Sequence, residues 1–130
     1  MRKKLLVLSI IALTAFANCN NAQTTETSLE PKQFSEKIKS NSEITVVDVR
    51  TTEEYLEGHL PNALNIDWNG NAFMEQVSKL DKEKPVMVYC RSGRRSGEAA
   101  AKMRKEGFKE VYELKGGIIA WTEQDLPQEK

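Results

Sequence analysis

The chain has 130 residues, of which 39% are hydrophobic and 29% charged, with 19 basic and 19 acidic side chains and two cysteines. Such a length holds one compact domain and not two, and the even charge balance gives no reason to expect nucleic-acid binding. Only Cys90 lies in the part read below as folded, which excludes an internal disulfide and a cysteine metal site there.

Arg2, Lys3 and Lys4 precede an apolar run from Leu5 to Ala17 that only Ser9 and Thr14 interrupt. A basic start, a short apolar core and then small or polar residues predict a secretory signal over residues 1–22. The run is too short for a comfortable membrane span. Ala15-Phe16-Ala17 and Asn20-Asn21-Ala22 each place a small residue before a cleavage point. Phe16-Ala17-Asn18-Cys19 resembles a bacterial lipobox, with Asn18 where Gly, Ala or Ser is usual. The expected location is therefore outside the cytoplasm, either soluble in the periplasm or lipid-anchored through Cys19. Without Arg2, Lys3 and Lys4, 16 basic side chains remain against 19 acidic ones, a net charge of −3. Residues 23–28 read as a polar linker, because such composition cannot bury a core. The folded domain is expected over 29–130.

Glu30-Pro31 opens a helical pattern with Phe34 and Ile38 four apart. Ile44 to Val49 is a β-branched run of strand length. Thr51 to Glu57 reads as a short acidic helix stopped by Gly58, and Ala63 to Ile66 as a brief strand. Asn71 to Leu80 predicts a helix with Phe73, Val77 and Leu80 on one face, and Pro85 to Tyr89 another apolar strand. A helix follows from about Arg95 to Glu106, with Ala99, Ala100 and Met103 inward and Gly107 as its stop. Val111 to Leu114 supplies the last strand, and Gly116-Gly117 precedes a final helix bearing Ile118, Ala120 and Trp121. This alternation predicts an α/β domain with a parallel sheet covered by helices on both faces.

The stretch Cys90-Arg91-Ser92-Gly93-Arg94-Arg95-Ser96 falls between an apolar strand and a helix. Open parallel sheets bind ligands at the carboxyl ends of their strands, where Cys90 is placed. A tight loop entering a helix aims several N–H groups inward, and the helix start adds partial positive charge. The same features act on the thiol, whose free pKa is about 8.5 and falls at helix N-termini and beside arginines. Arg91, Arg94 and Arg95 supply three candidate cations. The alternative is an inert buried cysteine followed by a solvated basic loop.

Four elements in order resemble the rhodanese family over nearly all of the domain. The loop resembles C-R-x-G-x-R-S, matched by Cys90, Arg91, Gly93, Arg95 and Ser96. Asp48-Val49-Arg50 with Glu54-Tyr55 is similar to D-V-R-x-x-x-E-[YF], and Gly58 to Ile66 to G-H-I-P-G-A-x-N-I. Leu114-Lys115-Gly116-Gly117 to Trp121 resembles L-x-G-G-x-x-A-W. The resemblance implies a five-stranded, mostly parallel α/β fold and sulfur transfer through a Cys90 persulfide. A small sulfur-containing anion would be the donor and a thiol or cyanide the acceptor, with no cofactor and no metal; a monomer is expected. Backbone amides from Arg91 to Ser96, Ser92 and Arg94 included, would hold the sulfur or the donor anion, with Arg95 the best candidate for side-chain help. The resemblance makes His59 structural.

Asp48, Arg50 and Glu54 read as an ion-pair and hydrogen-bond network in which Glu54 reaches Arg50. Gly116 and Gly117 read as backbone requirements. Asn62 replaces the common glycine and tolerates left-handed angles, and Trp68 is read as core cover rather than a pocket wall. Two rival functions follow from the loop. Phosphatases and arsenate reductases use C-x5-R, but position 96 is Ser96. A binding-only rhodanese-like module commonly lacks the cysteine, which is present here.

Overall fold

A computed structural model describes residues 26–130; the expected signal segment, its expected cleavage points and Cys19 lie outside the described residues. The strands are β1 (Ser28–Leu29), β2 (Thr45–Asp48), β3 (Leu64–Asn65), β4 (Val86–Tyr89) and β5 (Val111–Leu114). The helices are α1 (Pro31–Ser40), α2 (Thr52–Glu57), α3 (Phe73–Val77), α4 (Arg94–Lys105) and α5 (Gly117–Glu123). All five strands run parallel in the order β1-β5-β4-β2-β3, the α/β architecture the alternation predicts.

Strand periodicity sorts the core into two layers. Val47, Val86 and Val88 face one side, under Ala99, Ala100 and Met103 of α4 and Phe73 and Val77 of α3. Val46, Met87 and Tyr89 face the other, against Phe34 of α1 and Ile118 and Trp121 of α5. Every β4 residue is buried, as a central parallel strand requires. Register places Asp48 beside Tyr89, so β2 and β4 end level and their following residues share one edge.

β2, β3, β4 and α2 are each trimmed by one residue at one or both ends, and three further boundaries differ from expectation. Ser28, assigned above to the linker, pairs with Glu113 in β1, and Glu113 N–H also bonds the Thr27 carbonyl at 2.7 Å. Two residues give too weak a pattern to read, and β1 forms because β5 offers it a free edge. The helix expected over 71–80 shrinks to α3, its ends drawn into turns. The helix expected to start near Arg95 begins at Arg94, capped by Gly93 at φ 113°. Asn62 adopts φ 60°, the left-handed conformation its side chain tolerates. Trp68 packs on Phe73 edge to face at 4.8 Å and donates from Nε1 to Glu98 at 3.0 Å, so it covers the core.

Candidate active site

Cys90 immediately follows β4 and is 1% exposed. Gly93 turns the chain through its positive φ, which brings its own N–H to Cys90 Sγ at 3.1 Å. The Ser96 hydroxyl, in the first turn of α4, stands 3.4 Å from Sγ and 3.2 Å from the Gly93 carbonyl. Burial pushes the thiol up, but hydrogen bonds from Ser96, Gly93 and Ser92 outweigh it and hold Cys90 below its ordinary value. The arginines are not the leading cause, contrary to the expectation from their number.

The three arginines go different ways. Arg94 is 76% exposed in its side chain and pairs with Glu98 at 3.6 Å, one turn along α4 and outside the cradle. Arg95, expected to meet the donor anion, grips Glu54 with both terminal nitrogens at 2.7 and 2.8 Å. That pair holds the Glu54 carboxyl down to about 2 and raises Arg95. Arg91 is exposed and, among the described residues, makes no side-chain hydrogen bond or ion pair.

Glu54 therefore binds Arg95 and not Arg50. It also accepts from Thr51 N–H at 3.0 Å while Thr51 Oγ1 accepts from Glu54 N–H, a capping box at the start of α2. That geometry turns Glu54 toward α4. Asp48 and Arg50 do form a network, and it closes on different groups. Fully buried Asp48 accepts from Arg50 Nη2 at 2.7 Å, from Arg50 N–H at 2.9 Å and from the Tyr89 hydroxyl at 2.6 Å. Arg50 Nη2 also donates to the Gly58 carbonyl at 2.7 Å, and Tyr89 accepts from Leu60 N–H at 3.0 Å. Burial and then the charge of Asp48 push the Tyr89 phenol far above its ordinary range. His59 stacks on Tyr55 at 3.8 Å and bonds its carbonyl through Nδ1, a structural placement away from the thiol loop.

Gly117 proves to be part of the site's frame. Ile118 N–H donates to the Cys90 carbonyl at 2.9 Å and Ile119 N–H to the Arg91 carbonyl at 3.2 Å, so the start of α5 clamps the loop. A Cβ on Gly117 would stand 2.2 Å from the Arg91 oxygen and 2.7 Å from that of Cys90. Only glycine permits that approach. The glycine pair is visible in the sequence, but the backbone it meets is not. Beside the loop opens a cleft of about 470 Å³, lined by Arg91, Glu54, Glu57, Ile119, Glu123 and Gln128 among others.

A family model described as Rhodanese-like domain matches residues 30–124. The chain belongs to this family. Its rhodanese-like domain is similar to a sulfurtransferase from Allochromatium vinosum, 33% identical over 99 residues, covering 76% of this chain and 91% of that protein. It is also similar to the thiosulfate sulfurtransferase GlpE of Coxiella burnetii, 43% identical over 85 residues, covering 65% of this chain and 78% of that one. A tRNA uridine(34) hydroxylase from Cytophaga hutchinsonii is 38% identical over 96 residues, but the match, 72% of this chain, spans only 30% of its length. Among solved structures, a rhodanese-related protein from Thermoplasma volcanium superposes with a TM-score of 0.70 at 29% identity, covering 78% of this chain and 96% of that one. Rhodanese-family enzymes with a sulfur donor and an acceptor are thus the company this domain keeps.

Proposed function

We propose that this protein is a sulfurtransferase in which Cys90 accepts a sulfane sulfur as a persulfide and passes it on, acting as a monomer. The observation that carries the reading is the convergence of the Gly93 N–H and the Ser96 hydroxyl on a buried sulfur at a strand end. A module that only binds partners has no use for a thiol held below its ordinary pKa. The similarity to proteins named sulfurtransferase supports the same conclusion.

In the first half-reaction the Cys90 thiolate attacks the sulfane sulfur of thiosulfate, a polysulfide or a persulfide. The donor's S–S bond breaks and its electron pair leaves with sulfite or the donor thiolate. Loop amides between Arg91 and Ser96 stabilise the negative charge on the outer sulfur. In the second, cyanide or a thiolate attacks that outer sulfur, and the electron pair of the broken S–S bond returns to Cys90. Neither step needs a general base, a metal or a cofactor.

Intact-mass measurement after exposure to thiosulfate tests this directly: wild type gains one sulfur and loses it to cyanide. Cys90→Ser, nearly isosteric, should keep the fold and show neither event, with transfer below about 1% of wild type. Residual transfer of several per cent would reject the assignment. We further propose export, resting on the basic start and the Leu5–Ala17 run. Fractionation of a native-type host should find the mature protein outside the cytoplasm without its first 17 residues, and full-length cytoplasmic protein would refute it. Fatty-acid labelling that disappears in Cys19→Ala would mark the lipoprotein form.

A further inference from the structure

We infer that the mouth of the cleft selects acceptors that carry a positive charge near their thiol, and that Glu57, Glu123 and Gln128 make the selection. The inference rests on the sulfur-transfer reading of Cys90 and concerns its second half-reaction.

The charges along the cleft are sorted by position. At the inner end, Arg50 is neutralised by Asp48 and Glu54 by Arg95, leaving Arg91 as the cation beside the sulfur loop. At the outer end, Glu57 closes α2 and Glu123 closes α5; both are exposed and, among the described residues, neither has an ion-pair partner. Acids there oppose the negative end of the helix dipole. The contrast within the fold is sharp. α1 ends in Lys37 and Lys39, and α4 in Lys102, Arg104 and Lys105, whereas α2 and α5 have no basic residue in the last turn. The two helices that end at the cleft close on carboxylates, where local helix stability disfavours them, with no basic residue in the last turn to offset them. α3 lacks a basic last turn too but ends on Val77, away from the cleft.

The third wall is Gln128, carried on residues 126–129, beyond the 30–124 segment that the family model matches. This strap is tied to the domain by reciprocal His59–Glu129 backbone bonds at 2.9 and 2.8 Å and by Trp121 Nε1 donating to the Pro127 carbonyl at 2.9 Å. Thr122 Oγ1 donates to the Ile118 carbonyl, so it must accept from Gln128 Nε2 at 2.8 Å. That fixes the amide and leaves Oε1 as an acceptor on the Gly58 side of the cleft, 3.2 Å from where a Cβ on Gly58 would lie. Two carboxylates and one amide oxygen then face an incoming acceptor. Each attracts an ammonium or guanidinium and disfavours an anion. Transfer itself is unchanged: the acceptor thiolate attacks the outer sulfur, and the electron pair returns to Cys90. A small aminothiol and a peptide cysteine beside lysines share this chemistry.

The test loads Cys90 with sulfur, verifies the load by intact mass, and measures the single-turnover rate with cysteamine and with 3-mercaptopropionate. Comparing the ratio of the two rates between wild type and variants cancels the intrinsic reactivity of each thiol. The cysteamine preference should fall about tenfold in the Glu57→Gln/Glu123→Gln double variant, and reverse in Glu57→Lys/Glu123→Lys. Gln128→Ala should lower it about twofold, the size of one neutral hydrogen bond at an open site. The tripeptides Lys-Cys-Lys and Glu-Cys-Glu identify the source: a larger effect on this pair than on the small thiols marks a peptide acceptor, and a smaller one an aminothiol. A loaded enzyme whose ratio is the same in all variants overturns the inference. A Cys90 that never loads would instead overturn the sulfur-transfer reading.

Discussion

Two polar clusters sit side by side where β2 and β4 end, and they are built to opposite plans. The Asp48–Arg50–Tyr89 cluster is closed: carboxylate, guanidinium and phenol bond one another and the backbone of the Gly58–Leu60 turn. The Cys90 cluster is convergent, with a backbone N–H and a hydroxyl directed at one polarisable sulfur beside a cleft. A buried charge is tolerable only when it is fully paired, and the first cluster meets that demand within the protein. The second directs its donors at a thiol held below its ordinary value, the arrangement the proposed sulfur transfer would use. What distinguishes the candidate site is not the amount of buried polarity but where its hydrogen bonds point.

Asp48→Asn strikes the closed cluster and should have the largest effect on stability. It leaves the Arg50 guanidinium without its counter-charge, at a cost of about 3–5 kcal/mol, read by urea unfolding. The protein that remains folded should keep the wild-type pH profile for alkylation of Cys90 by a neutral reagent. A shifted profile would show that the two clusters act as one.

Ser96→Ala strikes the convergent cluster in the complementary way. It removes a hydrogen bond to the thiolate and should raise the midpoint of that alkylation profile by about one pH unit, or about 1.4 kcal/mol. An unmoved midpoint would leave the backbone amides as the whole of the cradle.

Arg95→Ala tests the pair that ties the start of α2 to the start of α4, and its expected effect is smallest. Arg95 is engaged with Glu54, so the alkylation midpoint should rise by less than in Ser96→Ala. The folded Glu54 carboxyl sits at about 2, below its unfolded value of about 4.3. A depressed carboxyl stabilises the fold above the unfolded value and loses that contribution as pH falls toward the folded one. Wild type should therefore lose stability between about pH 4.5 and 2, on the order of 1 kcal/mol from this partly buried, partly screened pair. Acid titration of thermal stability should show a shallower slope in Arg95→Ala; equal slopes would remove the pair from the account.

The sequence by itself determined what depends on neighbours along the chain. Apolar runs of strand length, proline and glycine stops, and the Cys90–Ser96 loop between a strand and a helix were all legible, because each follows from local geometry and period. Even the left-handed turn at Asn62 could be read from its residue type. Partner choice could not. Glu54 has two arginines within reach of any sequence argument, and only the tertiary fold, which brings the start of α4 to Glu54, decides for Arg95 over Arg50. Likewise Gly117 announces that close approach is needed, but that the approached group is the carbonyl side of the Cys90 loop depends on where α5 returns to the sheet. The thiol's hydrogen bonds come from amides and a serine because a buried sulfur at a helix start meets the backbone first, while long arginines reach past it to carboxylates and water. Side chains that act across the sheet edge are placed by tertiary contacts, and no local spacing encodes them.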